Sequence, residues 1–189
     1  MRNTCSEMIT KLNPNEVFVF GSNVDGFHGA GAAGFASFGV VGNHWREYNY
    51  ADKPNGWKGK WNVKGKALGF QEGTEGKSFA IPTIRKPGQR RSLSQIDIMI
   101  YIQQLYQFAS LDKQWVFLVA GSANVKSLNG YSHEEMCTMY VNAGNIPDNV
   151  LFSESYTKII ERSYAKKNLI NRETETWAYL TKGEGVTWG

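Results

Sequence analysis

Short apolar runs cut by turn residues alternate along this chain with longer stretches in which apolar residues recur every three or four positions. Val17-Phe18-Val19-Phe20 stops at Gly21-Ser22-Asn23, Phe79-Ala80-Ile81 stops at Pro82, the run from Trp115 to Ala120 stops at Gly121, and Val150-Leu151-Phe152 stops at Ser153. Each run is apolar on both alternations, which predicts strands covered on two faces. Ser94-Gln95-Ile96-Asp97 opens a stretch in which Ile98, Ile102, Leu105 and Ala109 share helical spacing, so one apolar stripe can dock on a sheet. Ser132-His133-Glu134-Glu135 reads as a capping box, and its helix is expected to run to about Ala143, ahead of Gly144. Shorter helices are expected over Gly31 to Phe38 and Ser155 to Ala165.

Alternating strands and amphipathic helices are the pattern of a layered α/β domain, here expected over residues 1–165. Two stretches break the alternation. Residues 42–66 hold Trp45, Trp57 and Trp61 with Tyr48 and Tyr50 among glycines and cations, and read as an inserted loop or small β-ribbon. Residues 166–189 read as a polar C-terminal extension.

Composition narrows the function classes. A chain of 189 residues, 41% hydrophobic and 20% charged, suits one medium domain with a sizeable core. Cys5 and Cys137 lie far apart without C-x-x-C or Cys/His spacing, which argues against a disulfide scaffold and a structural zinc site, and makes a reducing cytoplasm the default compartment. The longest apolar run has six residues, Trp115 to Ala120, where a spanning helix needs about 20, and the N-terminal stretch lacks an apolar h-region; no membrane partner is expected. A net charge of +4 suits an anionic ligand without demonstrating nucleic-acid binding.

The densest local signal is the run from Phe18 to Ala33, a strand entering a loop of small residues that opens a helix. Small residues let backbone N–H groups approach a ligand, and the positive end of the helix favours a diphosphate. Asn23 and His28 put an amide and an imidazole beside this cradle. The alternative reading of the glycines alone is a tight strand-to-helix turn.

Taken together, Val-Phe-Gly-Ser-Asn (19–23), His-Gly-Ala-Gly-Ala-Ala (28–33), the segment from Glu72 to Thr83, and Phe117-Leu118-Val119 leading to Gly130-Tyr131-Ser132-His133-Glu134-Glu135 resemble a macrodomain-like family of bacterial and phage genomes, over residues 16–156. The resemblance implies a three-layer α/β/α fold with a mixed central sheet that binds ADP-ribose, some members hydrolysing ADP-ribose 1''-phosphate or ADP-ribose esters. It implies that Asn23 contacts the distal ribose, with Gly21 and Ser22 beside it. Gly29, Ala30, Gly31 and Ala32 would form the first diphosphate loop, and Gly121, Ser122, Ala123 and Asn124 would begin the second. That second segment, 120–130, is longer than in the relatives and lacks their glycine pair. In this reading His28 relays a proton, Glu72 lines the pocket, and no cofactor or metal is required.

Three other features bear on function. Glu72-Gly73-Thr74-Glu75-Gly76-Lys77-Ser78 imitates a P-loop, but Gln71 stands where that motif needs glycine, and Phe79-Ala80-Ile81 predicts a strand where it needs a helix. Arg85-Lys86-Pro87-Gly88-Gln89-Arg90-Arg91 is a cationic loop that would steer an anion if it borders the site. Cys137 falls inside a predicted helix as a buried structural thiol. The leading expectation is an ADP-ribose-type ligand with hydrolysis of its terminal phosphate or ester. The alternatives are non-catalytic sequestering of a nucleotide signal such as a cyclic ADP-ribose derivative, and nucleic-acid binding through the aromatic insert, whose rings would stack bases.

Overall fold

A computed structural model describes residues 3–26, 28, 31–38, 68–73, 76–119, 121 and 127–183. The aromatic insert at 42–66 lies outside these residues, as do Gly29, Ala30, Ser122, Ala123 and Asn124 of the predicted site. The architecture is α/β, with six strands: β1 (Thr4–Cys5), β2 (Glu16–Asn23), β3 (Gly69–Glu72), β4 (Lys77–Ile84), β5 (Val116–Val119) and β6 (Val150–Ser153). They form one sheet in the order β1-β6-β5-β2-β4-β3, parallel throughout except where β3 runs antiparallel to β4. Four helices are described: α1 (Gly31–Phe38), α2 (Gln95–Leu111), α3 (His133–Asn142) and α4 (Glu154–Gly183).

The doubly apolar strands put alternate residues into two cores. Val17 and Val19 of β2, Phe79 and Ile81 of β4, and Phe117 and Val119 of β5 pack with α2, α3 and the first turns of α4. Phe18, Phe20, Ala80 and Leu118 point the other way, against Ala33 and Ala36 of α1 and Ile9. Helices therefore cover both faces of the mixed sheet. Ile98, Ile102 and Leu105 of α2 are fully buried, each contributing about 2–3 kcal/mol of burial.

Both helix starts signalled in the sequence are capping boxes. The Ser94 hydroxyl accepts from Asp97 N at 3.1 Å while Asp97 accepts from Ser94 N at 3.2 Å; Ser132 and Glu135 repeat the exchange at 3.1 and 2.7 Å. Two elements differ from expectation. β4 passes through Pro82 to Ile84, because the β3–β4 pairing ends at Gly69–Ala80 and no ladder donor is needed on that side of the proline. The last helix, expected over Ser155 to Ala165, runs to Gly183, since 166–182 contains neither glycine nor proline to stop it.

Candidate functional site

β2 and β5 are neighbours whose chains leave in opposite directions. After β2 the chain enters α1 on one face and returns through β3 and β4 on one side of β2; after β5 it enters α3 on the other face and returns to β6 on the other side. In open α/β sheets the crevice beside such a divergence, at the carboxyl ends of the two strands, is where ligands bind. Gly21, Ser22 and Asn23 end β2 at this crevice, and Gly121 follows β5.

The end of β2 is tied to β4. The Thr83 hydroxyl donates to Ser22 O at 3.3 Å, and Val24 N donates to Ile84 O at 3.1 Å across a register shift between Ser22 and Asn23. A Cβ at Gly21 would sit 3.3 Å from Thr83 Oγ1, a tight contact. The strand then reverses, with Gly26 N donating to Asn23 O at 3.1 Å. His28 comes back over it: its Nε2 bonds the Ser22 hydroxyl and its ring stands edge-on to Phe20 at 5.1 Å. Ser22, Asn23 and His28 are all buried, His28 completely, and desolvation pushes the imidazole pKa down to about 3. The loop histidine is thus a neutral, sealed group that fixes Ser22.

Gly31 opens α1 with φ +58°, and a Cβ there would fall 2.9 Å from Leu128 Cδ1. The start of the helix after β2 therefore abuts the 127–130 turn that leads into α3. That turn is braced from within, where the Ser127 hydroxyl bonds Tyr131 O and Asn129 Oδ1 accepts from Tyr131 N at 2.9 Å. It is also braced by the cationic loop after β4. Arg91, at φ 52°, lies 4.7 Å over the Tyr131 ring, donates through Nε to Gly130 O at 3.0 Å, and pairs through Nη2 with both Glu135 oxygens at 2.7 and 2.9 Å. The cationic run thus meets the turn through Arg91, which is engaged in holding it.

On the β6 side, a Cβ at Gly121 would meet Ser153 Oγ at 3.3 Å and Glu7 Oε2 at 3.6 Å. Glu7 accepts from Ser155 N at 2.8 Å and from the Ser155 hydroxyl at 3.0 Å, and these bonds hold its carboxyl below the usual carboxylate range. The N-terminus of α4 is thereby occupied by a carboxylate.

Glu72 is not part of this group. It pairs with Lys77 in the β3–β4 hairpin, and Lys77 stands opposite Val17, six residues and about 20 Å from Asn23 along the strand. Its carboxylate is exposed and 3.9 Å from Lys77 Nζ. The same hairpin, closed by Gly73 N to Gly76 O at 2.7 Å, leads into a strand, which removes the P-loop likeness. Cys137 is fully buried, its thiol pushed up to about 12 by desolvation. A separate cavity of about 330 Å³, lined by Cys5, Ile9, Lys11, Glu16, Leu118 and Leu151 among others, shares no residue with the crevice. Among the described residues no cluster of His, Cys, Asp and Glu could hold a metal ion, and no helix is long and apolar enough to cross a membrane.

The sequence reading missed Glu7, Thr83 and the bracing role of Arg91. Their partners lie 148, 61 and 44 residues away, so no local pattern announces them. The chain matches no family model, no curated protein and no solved structure.

Proposed function

We propose that the protein binds ADP-ribose or a related ADP-ribose-containing nucleotide in the crevice between the carboxyl ends of β2 and β5, and hydrolyses its terminal phosphate or ester. The observation that carries this reading is the divergence of the chain after those two strands, with glycine-bearing loops following both. The macrodomain-like motifs supply the ligand. In this reading the loop from Gly29 to Ala32 and the segment from Gly121 to Asn124 present backbone N–H groups to the diphosphate and to the charge that develops on the departing group. Asn23 orients the distal ribose from the end of β2.

His28 takes a different role from the proton relay expected of it. A fully buried, neutral imidazole bonded to Ser22 acts by positioning the strand end that carries Asn23. That same burial favours a second reading, in which the crevice sequesters a nucleotide signal without turning it over. One experiment separates the two: a calorimetric titration with ADP-ribose and with its 1''-phosphate, followed by product analysis of the same mixtures. Binding with release of phosphate supports hydrolysis; binding with intact ligand supports sequestering; absence of binding defeats both.

A further inference from the structure

The long final helix has two differently occupied faces. Tyr156 and Ile160 are buried, Tyr164 is half-buried, and Lys167 donates to Val141 O at 3.1 Å, so positions spaced four, four and three apart dock α4 on the body. About a third of a turn round the helix, Lys166, Leu169, Ile170 and Glu173 form a second stripe at i, i+3, i+4 and i+7. Every residue from 168 to 174 is exposed, Leu169 by 60% and Ile170 by 55%. The helix nevertheless continues to Gly183. A helical extension that leaves its apolar residues Leu169 and Ile170 exposed is marginal by itself in water. In sequence the apolar spacing continues, with Trp177 seven residues after Ile170 and Leu180 eleven after Leu169.

We propose that this stripe is a homodimer contact, on which the same stripe of a second copy lies antiparallel with the two-fold axis between Leu169 and Ile170. The order of residues along it argues for that occupant. A basic residue precedes the apolar pair by three positions and an acidic residue follows it by three, so an antiparallel copy sets Lys166 against the second copy's Glu173, twice, with the apolar pairs between them. Self-complementarity of one patch is what a two-fold interface requires. A parallel copy would set lysine on lysine.

Sedimentation equilibrium of the full chain from about 1 to 100 μM tests this. Wild type should dimerise, and Lys166→Glu or Glu173→Lys alone should weaken the dimer by about tenfold, since each turns two attractive pairs into two repulsive ones. The double exchange K166E/E173K should return affinity to near wild type, and Leu169→Asp with Ile170→Asp should leave a monomer whose body melts unchanged. A monomer at every concentration, a dimer indifferent to both reversals, or a double exchange that fails to rescue would overturn the proposal.

Discussion

Acidification from pH 7 to pH 5 is expected to remove about 2 kcal/mol of folding stability through His28 alone. In the unfolded chain this imidazole takes its proton near pH 6.5, whereas burial in the native protein lowers its pKa to about 3. Between those values the unfolded state binds a proton that the native state refuses. Stability is therefore complete above pH 6.5 and falls by about 1.4 kcal/mol per pH unit as pH drops towards 3. The carboxyls of Glu7 and Glu135, held low mainly by the Ser155 and Ser132 amides, act in the same direction but only as pH falls through and below the ordinary carboxylate range. Between pH 6.5 and 5 the contribution of His28 is the part of the slope that its replacement removes. Urea unfolding in half-unit steps across this window, for wild type and His28→Gln, should show a slope steeper in wild type by about 1.4 kcal/mol per pH unit, whatever the variant's baseline. Parallel slopes in the two proteins would refute the assignment of a sealed, neutral His28.

The other expectations follow from the same geometry. Gly31→Ala should lose about 1–2 kcal/mol in urea unfolding from its left-handed backbone, because exposed Leu128 can swing away from the new methyl; an unchanged midpoint would contradict the turn described for α1. Arg91→Ala should destabilise by about 1–2 kcal/mol through loss of the Glu135 pair and the Tyr131 contact, and Arg91→Gly by about 1 kcal/mol less, since glycine accepts φ 52° freely; equal losses would remove the backbone part of the argument. If ADP-ribose phosphate is turned over, Asn23→Ala should lower kcat more than it weakens binding, whose loss should stay near 1 kcal/mol; equal losses would deny it an orienting role.

Four of the strands were readable because both alternations of each are apolar, which is what two-sided cover demands. β1 and β3 were not: Thr4-Cys5 is too short to show a period, and Gly69-Phe70-Gln71-Glu72 is a half-exposed edge strand held by its pairing with β4. Both capping boxes were visible because the interacting groups lie three residues apart. The continuation of α4 past Ala165 was hidden for the opposite reason, since residues 168–174 are all exposed and carry no core-facing period. In the candidate site, the small-residue loop and Asn23 stood out locally. The burial of His28 did not, because it depends on Ser22 and Phe20 folding against the ring, and the removal of Glu72 depended on the β2–β4 register.

A crystal structure of the ADP-ribose complex tests the central claim most directly. The diphosphate is expected beside Gly31 and Gly121, with the distal ribose at Asn23 and the strand end tied to Thr83 and His28 unmoved. A nucleotide found instead at the Glu72–Lys77 edge, or in the cavity between Ile9, Lys11 and Leu151, would contradict the account.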